Sequence, residues 1–85
     1  MLMKMLNDKN PIIICQAICE LTNRLQQSSE EIQKLKELCD NKTPFWNNYL
    51  VSDFAEASLD ILGKRKYSGN KHETKRLIEA KLDFR

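Results

Sequence analysis

The residues of this chain best suited to covalent or metal chemistry are three cysteines and one histidine. Cys15 and Cys19 are four residues apart, so on a helix their thiols share one face. Cys39 and His72 would supply the two further ligands that a tetrahedral site requires. The chain has no pair of cysteines separated by two residues, the spacing typical of zinc knuckles. We therefore interpret the cysteines as small apolar core residues and predict neither a metal site nor a cofactor.

His72 is also the side chain whose ordinary pKa lies nearest neutral pH. Catalysis by this histidine would need a nucleophile and an orienting acid brought to it. It lies instead in a basic stretch near the start of a predicted helix, where a solvated histidine is common. Glycine-rich loops that bind nucleotide phosphates are absent from the sequence. We predict that the protein is not an enzyme.

A basic segment near the C-terminal end is the strongest indication of function. Residues 1–62 contain six Lys/Arg against nine Asp/Glu, a net charge of −3, whereas residues 63–85 contain eight against three, a net charge of +5. Cations on one surface bind phosphates, and Tyr67 among them is placed to stack on a base. The alternative is a solvated loop followed by an ordinary polar helix face. The candidate polyanion-binding residues are Lys64, Arg65, Lys66, Lys71, Lys75 and Arg76.

Three carboxylates, Asp53, Glu56 and Asp60, are spaced three and four residues apart and so lie along one side of a helix. A solvated helix face is the ordinary interpretation of this spacing. The alternative is pairing with the basic segment, within the chain or between subunits, where such pairs set orientation more than stability.

The composition predicts a single all-α domain over residues 1–85. Apolar residues make up 41% and charged residues 31%, which is typical of a folded chain, and two Gly with two Pro are too few for a turn-rich β fold. The longest apolar run, residues 12–15, is far shorter than the roughly 20 residues of a membrane-spanning helix. Residues 1–6 lack the pattern of a signal peptide. We therefore predict a cytoplasmic protein without membrane association.

A long first helix over residues 11–40 is predicted after a flexible lead-in over residues 1–10. Asn10 and Pro11 form a helix-start pattern, with Asn as N-cap and Pro at the first helical position. Apolar residues then recur in steps of four and three, a coiled-coil-like heptad interrupted by Ser28. The alternative is a helical hairpin broken near Ser28, which forms a capping-box pattern with Glu31. We favour the continuous helix, because a hairpin has no reason to keep the heptad phase across its turn.

The same heptad predicts a protein interface. A helix of about 45 Å in so small a bundle would leave part of its apolar side uncovered. Uncovered apolar surface favours a homo-oligomer or a protein partner. The predicted interface, called the heptad seam below, consists of Ile14, Ile18, Leu21, Leu25, Ile32 and Leu35.

A second helix is predicted over residues 44–62, because Thr43 and Pro44 repeat the helix-start pattern and Gly63 suits the C′ position after a helix. This helix is apolar on two sides, which predicts burial between two neighbours, with Trp46 in the core.

A third helix is predicted over residues 71–83, with Asn70 and Glu73 as its capping pair. The expected architecture is a bundle of three helices, or of four if the first helix is broken near Ser28.

These features predict a non-enzymatic helical interaction protein, of the adaptor or inhibitor type, that acts through apolar helix faces and is oligomeric. The alternative from a different class is a small nucleic-acid-binding regulator that uses the basic 64–76 segment.

Overall fold

The computed structural model describes residues 2–46, 48–69, 71 and 73–80, apart from the side chains of Leu2 and Trp46. This part of the chain is mostly helical, as predicted, but it also contains a small antiparallel sheet that the all-α prediction did not include. The elements in chain order are α1 (Leu2–Leu6), α2 (Pro11–Thr22), α3 (Ser29–Leu38), β1 (Pro44–Trp46), β2 (Tyr49–Leu50), α4 (Val51–Ile61) and α5 (Thr74–Glu79).

The chain breaks the predicted 11–40 helix, so the continuous helix is wrong and the alternative of a break near Ser28 is right, although α2 and α3 pack mainly on α4 and not on each other as a hairpin. Residues between α2 and α3 form a turn. Ser28 is the N-cap of α3: its hydroxyl accepts a hydrogen bond from the Glu31 backbone N–H at 3.1 Å, and the Glu31 carboxylate accepts one from the Ser28 N–H at 2.8 Å. This capping box satisfies two backbone donors at once. The break also lets both helices pack on α4, which a straight helix does not allow.

The predicted flexible lead-in is also corrected. Residues 2–6 form α1, and the Leu6 side chain is buried in the core. The Asn7 side-chain amide donates to the carbonyl of Met3 at 2.8 Å and so holds the end of this short helix. The predicted start of α2 is confirmed, because the Asn10 side chain accepts a hydrogen bond from the N–H of Ile12.

The predicted start of the second helix at Pro44 is wrong. Residues 44–46 and 49–50 instead pair as the two antiparallel strands of a hairpin, and Asn48 before the second strand has a positive φ of 67°. Aromatic side chains favour extended backbone when they can pack on a neighbour. Here Phe45 and Tyr49 pack edge-on against Phe54, with ring centroids 5.1 Å and 5.8 Å away. The Trp46 side chain, predicted to be in the core, lies outside the described residues.

The end of α4 matches the prediction. Gly63 has a φ of 73°, and its N–H donates to the carbonyl of Asp60 at 3.0 Å. The Lys64 N–H reaches back to the carbonyl of Leu59 at 2.8 Å. These two bonds form a Schellman motif, which requires the left-handed conformation that glycine adopts without strain.

Helix α4 is the centre of the fold. It packs against α2, α3 and α5, which confirms that its two apolar sides are both covered. The Thr22 and Ser58 hydroxyls form a buried hydrogen bond between α2 and α4. The side chains of α4 that are wholly buried in the apolar core are Val51, Phe54, Ala55, Ala57 and Leu59.

The C-terminal helix begins at Thr74 rather than at residue 71. The Thr74 hydroxyl donates to the carbonyl of Lys71 at 2.7 Å, which tightens the entry to the helix. Residues 81–83 and the predicted cap Asn70 lie outside the described residues. The Glu73 carboxylate accepts a hydrogen bond from the Tyr49 hydroxyl at 2.7 Å, which joins β2 to the start of α5.

Because the capping box decides where α3 begins, Ser28→Ala should lower the free energy of unfolding by about 1 kcal/mol, as measured by urea denaturation. Ser29→Ala is the matched control, because Ser29 is exposed at the first helical position. An equal loss in both variants would contradict the role of the cap.

Candidate functional site

The acidic stripe on α4 binds the basic segment within the chain, which is the alternative that the sequence left open. Asp53 accepts hydrogen bonds from the Leu50 N–H at 2.9 Å and from the Tyr67 hydroxyl at 3.1 Å. Its second contact with the basic segment is an ion pair with the Lys71 ammonium at 3.2 Å. One carboxylate therefore joins the hairpin, α4 and the loop that leads to α5.

Asp60 makes a second attachment on the same side of α4, about two turns further along the helix. It accepts from the Tyr67 backbone N–H at 2.8 Å and pairs with the Lys75 ammonium at 3.3 Å. The Tyr67 N–H, aided by Lys75, lowers the pKa of the Asp60 carboxyl below its ordinary value of 3.8, against the opposing effect of burial. The carboxylate form is thus favoured in the folded chain.

Tyr67 cannot stack on a base in this conformation, contrary to the expectation from its place in the basic segment. Its ring is buried, and its hydroxyl accepts a hydrogen bond from the Lys71 N–H at 3.2 Å. Burial raises the pKa of this phenol. The ring lies so close to Gly69 that a Cβ at that position would overlap it. The aromatic residue is therefore part of the fold.

The predicted polyanion-binding set is divided by these contacts. Lys71 and Lys75 are held by Asp53 and Asp60. The four members that are exposed are Lys64, Arg65, Lys66 and Arg76. Three of these four are consecutive in the loop after α4, called the basic loop below.

The heptad seam is divided as well. Four of its six residues are buried in the core of this chain, and Ile32 is half-buried against that core. Leu25 is fully exposed, at 102% of the reference accessibility of a leucine residue. No continuous apolar seam therefore faces outward. The four buried members are Ile14, Ile18, Leu21 and Leu35.

The turn that carries Leu25 is held on both sides. The Arg24 guanidinium pairs with the buried Glu31 carboxylate at 2.8 Å. The Gln27 side-chain amide donates to the carbonyls of Leu21 at 3.0 Å and Arg24 at 2.9 Å. The Ser28 N–H, followed by Arg24, lowers the pKa of the Glu31 carboxyl. Leu25 thus projects from a turn whose neighbours are fixed by hydrogen bonds.

A groove of about 600 Å³ lies beside this turn and connects the two predicted sites. Leu25 and Ile32 supply its apolar part, and Lys36 with Lys64 supply positive charge. Of the described residues that line it, none carries a carboxylate. The remaining lining residues are uncharged and polar, namely Gln26, Gln27, Ser29 and Gln33. We call this surface the Leu25 groove.

A second, more open cleft of about 410 Å³ lies along the basic loop and shares Lys64 with the groove. Lys64 lines both, and Gly63, Arg65 and Lys66 line the second together with Asp60. Since Asp60 already binds Lys75 and the Tyr67 N–H, its charge is offset by these partners. The surface therefore extends from an apolar centre to a cationic end.

Sequence reasoning missed the residues on α3 that complete the Leu25 groove. Ser29, Gln33 and Lys36 recur at steps of four and three, so they share a helix face with Ile32 beside it. This polar face became recognisable only with the correct start of α3 at Ser29. The predicted continuous helix over residues 11–40 placed residues 23–28 inside the helix, so no turn and no groove beside it were expected.

The cysteines are placed as core residues, in agreement with the interpretation from the sequence. Cys15, Cys19 and Cys39 are all buried and none forms a disulfide. Burial raises the pKa of the Cys19 thiol to about 12 and that of the other two as well. Among the described residues no three candidate metal ligands lie together. His72 lies outside the described residues.

The apolar surface at the start of α2, outside the heptad seam, is partly covered by α1. Ile12 is half-buried and, with Met5 and Ile13, lines an apolar cleft of about 340 Å³ between α1 and α2. Lys4 and Asp8 lie at its edge with opposite charges. This cleft offers no charge preference, in contrast to the Leu25 groove.

The Asp60 contacts give a pH dependence. Because the pKa of Asp60 is lowered by folding, its stabilising contribution is complete above 3.8 and is lost as the pH falls through the lowered value. Asp60→Asn should therefore have a lower free energy of unfolding than the wild-type chain above pH 4. This difference, measured by urea denaturation, should become smaller as the pH is lowered below 4. Glu79→Gln, an exposed change of the same charge, serves as control. A difference that stays constant down to the lowest pH would contradict this role of Asp60.

Comparison of the chain with protein-family models, with characterised proteins and with solved structures finds no match. Within the described residues, no helix has the length and apolar character needed to cross a membrane.

Proposed function

We propose that this chain is a non-enzymatic protein-interaction module of the adaptor or inhibitor type, and that it binds its partner through the Leu25 groove. The observation that carries the proposal is the fully exposed Leu25 on a hydrogen-bonded turn, beside half-buried Ile32 and two lysines. An isolated exposed leucine is ordinary on a protein surface. A leucine that forms one wall of a groove with mixed apolar and cationic lining is typical of a binding site.

The energetics support a role for Leu25 in binding. Burial of a leucine side chain contributes roughly 1.5–3 kcal/mol. That gain is not used in the folded chain, since the side chain is in water. A partner that covers Leu25 gains it without rearranging the turn, because Gln27 and the Arg24–Glu31 pair already fix the backbone around it.

If the chain forms the predicted homo-oligomer, its interface is not the heptad seam that the sequence suggested. Four residues of the heptad seam are used inside the chain, so they are not available to a second copy without unfolding. A second copy remains a partner of the same Leu25 groove, and the crosslinking experiment below distinguishes it from another protein by mass.

The proposal of a non-enzymatic role is supported by the state of the nucleophilic side chains. A thiolate is the reactive form of cysteine, and burial raises the pKa of each described thiol well above neutral pH. The Tyr49 and Tyr67 hydroxyls are occupied by Glu73 and Asp53. Burial likewise raises the pKa of the Tyr49 phenol to about 12.

A second candidate function, a small nucleic-acid-binding regulator, is favoured by one observation. The three cations of the basic loop are exposed side by side, and Lys36 extends the same charge across the Leu25 groove. Two of the six predicted cations, Lys71 and Lys75, pair with acids in the chain, and Tyr67 is buried. The candidate therefore depends on phosphate contacts by the loop.

The interaction proposal is tested by introducing a photo-crosslinking amino acid in place of Leu25 in the source cells. We expect a discrete protein adduct upon illumination, because the side chain at this position is covered by the partner. The same amino acid in place of Lys9, which is exposed in the loop between α1 and α2, is the control. An adduct with the mass of two chains identifies the partner as a second copy. Equal adducts at both positions, or none at position 25, would refute the proposal.

The nucleic-acid candidate predicts a salt effect. Replacing Lys64, Arg65 and Lys66 by serine should reduce the slope of log affinity against log salt for a short single-stranded RNA or DNA by about 2, since each phosphate contact contributes about 0.7. Lys9→Ser should leave the slope unchanged. Wild-type affinity that does not fall with rising salt would exclude the phosphate-contact mechanism.

A further inference from the structure

The Leu25 groove is positively charged and has an apolar centre, and this combination restricts the ligands that it can bind. Lys36 comes from α3 and Lys64 from the loop after α4, so the two cations reach the groove from separate elements. Leu25 and Ile32 come from the turn and from the first half of α3. A partner segment in the groove therefore contacts apolar side chains and meets a positive charge from each of two elements.

The remaining lining favours a polypeptide. Glutamine side chains and a serine hydroxyl both donate and accept hydrogen bonds, as the backbone of a peptide requires. Three glutamines and one serine line the groove. The Gln27 amide nitrogen is already committed to two backbone carbonyls. Gln26 in the turn and Gln33 on α3 are both exposed, so their side-chain amides are accessible to a bound peptide.

The charge continues beyond the groove on one side. A segment that leaves it past Lys64 enters the cleft of Arg65 and Lys66, where Asp60 is engaged by Lys75 and by the Tyr67 N–H. Like charges placed opposite one another exclude wrong partners, and opposite charges accelerate association. A cationic peptide is therefore rejected by the surface that an acidic one would follow.

Nucleic acid fits the same surface less well. Bases bound without a duplex stack on exposed aromatic rings. The aromatic residue of the basic segment, Tyr67, is buried and hydrogen-bonded to Asp53. Aliphatic side chains, Leu25 and Ile32, occupy the centre of the groove instead. They complement an aliphatic or aromatic side chain of a peptide.

We propose that the occupant of the Leu25 groove is an acidic peptide segment of another protein, with one large apolar side chain packed on Leu25 and Ile32 and carboxylates paired with Lys36 and Lys64. This proposal rests on the proposed function and specifies its partner. Segments of this kind are commonly disordered before binding and order on the surface that they meet. The apolar anchor gives affinity, and the flanking carboxylates give orientation and rate.

The test is selection from a random-sequence peptide display library on the immobilised full chain at physiological ionic strength. We expect enriched peptides to be net negative with a single recurrent Leu, Ile, Phe or Met. A synthetic peptide of the enriched sequence should lose at least about tenfold in affinity for Leu25→Ser and for the double variant Lys36→Glu/Lys64→Glu, measured by fluorescence anisotropy. Rising salt should weaken binding to the wild-type chain.

Lys9→Glu is the matched control for charge reversal, because Lys9 is exposed and lines neither the groove nor the cleft. It should change affinity by less than about twofold, since isolated surface charges contribute little. All the substituted side chains are exposed, so circular dichroism and thermal unfolding of the variants should match the wild-type chain.

The outcomes separate this proposal from the broader one. Enriched peptides that depend on Leu25 but are neutral or basic overturn the acidic partner and leave the interaction module in place. Peptides that bind both groove variants as tightly as the wild-type chain, or a selection that enriches nothing, overturn the groove as a peptide site. A short RNA that displaces the enriched peptide and binds more tightly at physiological salt assigns the surface to nucleic acid instead.

Discussion

The burial of the apolar sides of α4 between α2, α3 and α5 is the constraint on which the rest of the structure depends. A chain of 85 residues has little surface with which to cover a central helix, and here α2, α3 and α5 each pack on α4 while α1 packs on α2 and α3. Small side chains on α4, Ser52, Ala55, Ala57 and Ser58, let the neighbouring helices approach closely. The Thr22–Ser58 hydrogen bond then satisfies the buried hydroxyls at the contact between α2 and α4.

The polar side of the same helix organises the charged half of the chain. Asp53 and Asp60 each accept from more than one donor, and together they fix the path from the basic loop to α5. The charges of Lys71 and Lys75 are offset by these carboxylates. The lysines of the basic loop lack such a pairing with Asp53 or Asp60 and face the solvent. The distribution of free positive charge is therefore a product of packing, and a count of lysines and arginines along the sequence does not give it.

Local signals in the sequence predicted the ends of helices better than their extent. The Asn10 and Gly63 patterns act where they were predicted, and the Ser28 pattern acts where the alternative placed it, because each satisfies backbone groups within a few residues. The heptad was misleading because a/d spacing also fits two separate helices that pack on one central helix. The Thr43–Pro44 pattern failed because Phe45 and Tyr49 gain more by flanking Phe54 than by entering a helix. The Leu25 groove could not be predicted, since Lys64 and Ile32 are brought together only by tertiary packing.

The three thiols buried in the core have a consequence for how the chain responds to its surroundings. Oxidants and alkylating agents react with cysteine in its exposed, ionised form, so Cys15, Cys19 and Cys39 are shielded for as long as their helices stay packed. Two of them lie in α2 and the third follows α3, so they are exposed by openings of different parts of the molecule. The rate at which a thiol reagent labels each cysteine therefore reports how often that part of the molecule opens, and no reporter residue has to be introduced.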